Sequence, residues 1–153
     1  MKSKAEFPNL NTKLPDGLMP SGMSYKVMVV DGKEFHRKQI VQILESERYT
    51  IVDTAVNGKE ALDKIAKLKV KLDLITTELD MPVLDGYAML YELKQKGNMP
   101  VVVFIAEDTT KGVMQDLITM GAKDFILKPV NRRIILERIK NVLSKRSSQV
   151  NDF

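Results

Sequence analysis

The chain has 153 residues, of which 44% are apolar and 29% charged, with no cysteine and a formal net charge of +4. That length supports one domain with its own buried core. The absence of cysteine excludes disulfides, thiol catalysis and cysteine-held metals, and no apolar run approaches the roughly 18 residues that span a bilayer. Lysines and acids are interspersed rather than gathered in a block, so the basic balance predicts a solvated surface; the expected compartment is the cytoplasm.

Residues 1–24 carry Pro8, Pro15, Gly17, Pro20 and Gly22 and show no apolar period, which predicts a flexible leader. Within it, Phe7, Leu10, Leu14, Leu18 and Met19 are apolar groups suited to docking on the domain or a partner. A domain is expected over 25–146, with a tail over 147–153. Tyr25 to Val30 is nearly continuously apolar and predicts a strand buried on both faces. A helix follows over 34–47, with Ile40, Ile43 and Leu44 on one face. Thr50 to Ala55 reads as the second strand, and Asn57-Gly58 opens a helix that turns Ala61, Leu62, Ile65 and Ala66 inward. The third strand is expected over 72–77 and its helix over 86–96, burying Met89, Leu90 and Leu93. Pro100 to Ile105 is rich in β-branched residues and predicts the fourth strand. A helix over 110–120 stops at Gly121. The last strand is expected over 124–127. The last helix, over 132–145, carries Ile135, Ile139, Val142 and Leu143 at helical spacing.

Five strand–helix alternations with short connections require right-handed crossovers and a parallel sheet covered on both faces, a doubly wound α/β sandwich. Ligands of such sheets bind beyond the carboxyl ends of the strands. Asp31 follows the first strand, Glu78 the third, Ile105-Ala106 close the fourth, and Lys128 follows the fifth. The two acids are therefore expected to face each other, with the lysine reaching in from the side.

Three stretches carry a family likeness: Val27-Met28-Val29-Val30-Asp31, the run from Leu74 through Glu78 to Pro82 with Leu84-Asp85-Gly86 behind it, and Phe125-Ile126-Leu127-Lys128-Pro129. They resemble the receiver domain of two-component response regulators, of the chemotaxis-regulator type. The resemblance covers roughly 25–146. It implies a flavodoxin-like strand order 2-1-3-4-5, a cis bond between Lys128 and Pro129, and phosphoryl transfer from a phosphohistidine to an aspartate with Mg²⁺. It also implies what each position does. Asp31 matches the first acid of the pocket and Lys128 the phosphate-binding lysine. Ala106 matches the small residue that leaves room for the phosphoryl group, and Phe125 the switch aromatic. Asp80 stands where a backbone carbonyl serves as a metal ligand.

Three positions depart from that pattern. Gly32 replaces the second acid, Glu78 the phosphoacceptor aspartate, and Ile105 the hydroxyl residue. Glutamate moves its carboxylate outward by about 1.5 Å, and a misplacement of that order can cost about 100-fold in a transfer step. With Asp31, Glu78 and Asp80 as the remaining oxygen sources, Mg²⁺ binding is expected to be weakened or lost. Glu78 is expected to imitate the modified state in part, and Ile105 and Phe125 to pack together and fix one state.

The resulting expectation is a pseudo-receiver rather than an enzyme. It would be a stand-alone signalling domain that meets a histidine kinase, a phosphotransfer protein or a chemotaxis-type target, as a monomer or weak homodimer. Two alternatives stay open: a working Mg²⁺-dependent phosphoacceptor, and an anion- or nucleic-acid-binding module built on Arg132, Arg133, Arg138, Lys140, Lys145 and Arg146. No membrane partner is expected, and nucleic acid is not favoured. His36, the single histidine, lacks companions for a metal site and is expected at a solvated helix position.

Overall fold

The computed structural model describes residues 13–97 and 99–151, with side chains through residue 146. Among them, β1 (Lys26–Val30), β2 (Thr50–Ala55), β3 (Leu74–Thr77), β4 (Val101–Ala106) and β5 (Asp124–Leu127) alternate with α1 (Glu34–Ser46), α2 (Gly58–Lys67), α3 (Gly86–Lys96), α4 (Lys111–Thr119) and α5 (Arg132–Asn151). The strands form one parallel sheet in the order β2-β1-β3-β4-β5, the expected flavodoxin-like winding. No helix among the described residues is long and apolar enough to cross a membrane.

The near-continuous apolar strands are explained by the two layers they face. Alternate residues Met28, Val30, Ile75, Val102 and Phe104 pack under α2, α3 and α4 with Ala61, Met89, Leu90 and Leu117. Their neighbours Val27, Val29, Leu74, Val103 and Ile105 pack under α1 and α5 with Ile40, Leu44, Ile135 and Ile139. With both faces covered, β4 is apolar throughout and β1 apolar after Lys26, while Thr76 and Thr77 are the buried polar residues of β3. Side-chain caps fix where several helices start: Asn57, Asp85 and Thr110 accept from the backbone N–H groups of Glu60, Ala88 and Val113.

Three expectations are corrected. Residues 13–24, expected as part of a flexible leader, follow a defined path: Gly17 N–H donates to Glu47 O at 2.7 Å, Tyr25 N–H to Gly17 O at 2.8 Å, and Leu18 bridges Ser24. Gly17 is needed there, because a Cβ would lie 2.2 Å from the Tyr49 nitrogen. Phe7 and Leu10 lie outside the described residues. The last helix does not stop before a tail at 147 but continues to Asn151. Ile105 and Phe125 do not pack together. The register sets Phe104 beside Phe125 and Ile105 beside Ile126, so the two side chains leave opposite faces of the sheet. Phe125 stacks on Phe104 instead, with ring centroids 5.7 Å apart and planes 7° from parallel.

Candidate functional site

The parallel register delivers the first residue past each inner strand to one edge. Val30 pairs with Thr77, so Asp31 and Glu78 emerge side by side. Ala106 pairs with Leu127, so Glu107 and Lys128 emerge beside them. The Lys128–Pro129 bond is cis. Gly86 brings the start of α3 against this edge, where a Cβ would meet Glu78 O at 2.5 Å and Phe104 Cε2 at 2.7 Å. Here only glycine fits.

Lys128 Nζ sits between the two acids, 2.9 Å from Asp31 Oδ2 and 2.8 Å from Glu78 Oε2, and the three side chains are almost wholly buried. Two carboxylates against one ammonium leave one net negative charge. Burial of such a group is tolerable only when its oxygens are partnered, and each of them has a donor. Asp31 Oδ1 accepts from Lys33 N–H at 2.9 Å, and Glu78 Oε1 from Leu79 N–H at 2.7 Å. Backbone carbonyls are held as well, Asp31 O by Arg37 Nη1 and Glu78 O by Thr77 Oγ1, each at 2.8 Å. The sequence-predicted trio therefore converges.

Above it opens a cleft of about 450 Å³, lined by Asp31, Gly32, Glu78 and Asp80 on one side and by Glu107 to Thr110 on the other. Asp80 is an exposed rim residue. Among the described residues no group of three or more His, Asp or Glu side chains is placed to hold a metal ion. At Gly32 a Cβ would lie 3.3 Å from Val56 O, a tight contact with backbone, and 3.7 Å from Pro82 Cδ. Ala106 is buried in the layer under α2 to α4. Ile105 is buried on the opposite face and brings no hydroxyl to the cleft.

Two features escaped the sequence reading. His36 is not a solvated helix residue: it is half-buried, and its Nδ1 lies 2.8 Å from Lys128 Nζ. A usable signal existed, since the first turn of a helix that follows β1 must pass over the carboxyl edge. Lys33 and Glu107 flank the mouth of the cleft and form a 2.6 Å ion pair. That hydrogen bond holds the Glu107 carboxyl below the ordinary glutamate range and the Lys33 ammonium above its own.

The basic last helix is largely engaged within the chain. Arg132 reaches Ser46 and Glu47, Arg133 pairs with Glu137, Arg138 with Asp124 and Lys140 with Asp16. Arg146 donates to Asp73 O.

The family model of the response regulator receiver domain matches residues 27–140. The chain is 38% identical over 143 residues to the chemotaxis protein CheY of Treponema pallidum, spanning 94% of this chain and 99% of that protein. A chain of the CheX–CheY–BeF3–Mg complex from Borrelia burgdorferi is 32% identical and superposes with a TM-score of 0.81, covering 85% of this chain and 98% of that one. The protein-glutamate methylesterase/protein-glutamine glutaminase 1 of Vibrio cholerae is 39% identical over 109 residues, which is 69% of this chain but only 28% of that enzyme.

Proposed function

The chain belongs to the response regulator receiver domain family, and from that premise we propose that it signals through protein–protein contact without conventional aspartyl phosphorylation. The observation that carries this reading is the ammonium of Lys128, which is bound by Glu78 and Asp31 at once. In family members that lysine serves the phosphoryl group. Here the longer carboxylate at the acceptor position already occupies it. Glu78 thus supplies negative charge to Lys128 permanently, a partial imitation of the modified state that brings fewer oxygens than a phosphoryl group.

The surroundings agree. Gly32 provides no second acid, and Ile105 no hydroxyl for a phosphoryl oxygen. One oxygen of Asp31 and one of Glu78 accept from the Lys128 ammonium, so Mg²⁺ would have to compete with that cation for them, and Gly32 supplies no further carboxylate to offset it. Phe125 lies buried against Phe104, consistent with one fixed state of the switch. The reading assigns no enzymatic turnover and places the chain in the cytoplasm, as a monomer or weak homodimer. Its partner class is a protein of the two-component or chemotaxis type, a histidine kinase, a phosphotransfer protein or a target such as the CheX that accompanies CheY in the Borrelia complex. The internal pairing of the α5 cations argues against nucleic acid, because binding there needs lysines and arginines free to displace counterions.

The test is an amide NMR titration with Mg²⁺ and beryllofluoride, a phosphoryl mimic. The native chain is expected to show no saturable shifts around Asp31, Glu78 and Lys128. Shifts that saturate and spread to Phe125 would overturn the reading in favour of a working phosphoacceptor. A Gly32→Asp, Glu78→Asp double variant is expected to gain the response, with Val56 O, 3.3 Å from a Cβ at position 32, giving way by a few tenths of an ångström.

A further inference from the structure

We propose that His36 is a positioning residue that keeps Lys128 closed to an incoming oxyanion by accepting the third N–H of its ammonium. The inference rests on the reading of the site above. A lysine ammonium has three donors and no acceptor. Lys128 Nζ has three neighbours at hydrogen-bond distance: Asp31 Oδ2 at 2.9 Å, Glu78 Oε2 at 2.8 Å and His36 Nδ1 at 2.8 Å. The side chain is only 4% exposed, so in the resting site its partners are protein groups rather than bulk water. The ammonium is therefore saturated, and no N–H points at the cleft.

The chemistry of the contact fixes the ring. Since Lys128 can only donate, Nδ1 must accept and the imidazole proton resides on Nε2. An oxyanion entering the cleft must displace one acceptor. Displacing Asp31 or Glu78 leaves a buried carboxylate without its counter-charge, the most costly loss available. His36 is the neutral acceptor of the three and so makes the weakest bond. It also sits half-buried on the first turn of α1, where a freed ring can turn to water. His36 is thus the acceptor to be given up, and its presence lowers oxyanion affinity by roughly two- to tenfold, the worth of one net hydrogen bond.

The experiment follows the full chain and its His36→Leu and His36→Gln variants by ¹⁵N NMR at about pH 8, above the ordinary imidazole range. In the native chain, His36 should show the Nε2–H tautomer and Lys128 a slowly exchanging ammonium signal. His36→Leu should speed that exchange, and His36→Gln, whose Oε1 can accept, should restore it. Beryllofluoride with Mg²⁺ is then titrated into the Gly32→Asp, Glu78→Asp chain with and without His36→Leu, where removal of the ring should tighten binding by the stated factor. A protonated Nδ1, an exchange rate indifferent to His36→Leu, or equal affinities with and without the ring would overturn the proposal. So would absence of binding in both chains, because access to the ammonium would then not be what limits entry. Failure of the proposed function looks different: saturable binding of the probe by the native chain.

Discussion

The two edges of the sheet handle buried polar groups in opposite ways. At the carboxyl edge, Asp31, Glu78 and Lys128 are buried together and every carboxylate oxygen has a donor. At the amino edge, the segment from Lys13 folds across α1, β2 and α5 and buries Asp16 and Tyr49. There Asp16 Oδ1 and the Tyr49 hydroxyl lack hydrogen-bond partners, although Lys13 and Lys140 approach Asp16 at 3.3 and 3.7 Å. Burial first, and then the charge of Asp16, pushes the Tyr49 hydroxyl above the ordinary phenol range. One edge is a closed electrostatic unit. The other is held by backbone contacts, a glycine and a few side-chain bonds and ion pairs, with polar atoms left over. Removing a member should therefore cost much at the first edge through charge, and at the second mainly through shape.

The largest expected effect is at the carboxyl edge. Lys128→Met strands two adjacent buried carboxylates, and the loss should be about 3–4 kcal/mol, the lower part of the buried-pair range, because the cleft admits water. A urea midpoint lowered at unchanged slope would measure it. A loss below about 0.5 kcal/mol would place the trio with exposed pairs and erase the contrast. Next comes Gly17→Ala at the amino edge. The added carbon would lie 2.5 Å from Arg48 C and Glu47 O, which are backbone atoms. Overpacking of this kind costs about 1–3 kcal/mol. It should free the leader rather than unfold the sheet, so hydrogen exchange should quicken at the Gly17 and Tyr25 amides while those of β1 and β3 stay protected.

Much of the carboxyl edge was legible in the sequence. Two-faced apolar strands ending in Asp31, Glu78 and Lys128 can only place those groups together once the sheet is parallel. What register alone decides was not legible. Ile105 and Phe125 are each one residue from a pairing that would join them, and a one-residue offset sends a side chain through the sheet. His36 was misjudged because it was weighed as a metal ligand, whereas its partner is a lysine 92 positions away. The path of residues 13–24 carried no period because it forms neither helix nor ladder. Its one readable mark was a glycine whose reason, close approach to the α1–β2 turn, lies in tertiary contact.

The smallest effect sharpens the comparison within the carboxyl edge itself. Lys33 and Glu107 form a shorter pair than either bond of Lys128, yet both side chains are at least half exposed. Water and salt therefore screen what burial preserves a few ångströms below. The signs follow from the shifts. Glu107, held below its ordinary range by the hydrogen bond from Lys33, contributes stability at pH above the unfolded glutamate value and loses it as pH falls through the lower folded value. Lys33, held above its range by the same bond, contributes below the unfolded lysine value and loses that contribution as pH rises through the higher folded one. Between those limits the mouth of the cleft stays paired. Glu107→Gln should leave the urea midpoint nearly unchanged. In the native chain the Glu107 carboxyl, followed by ¹³C NMR, should titrate below an ordinary glutamate and return toward it in Lys33→Met or at about 1 M salt. A titration unmoved by salt would mean that the pair is shielded like the trio beneath it, and that the cleft is closed at its mouth as well as at its floor.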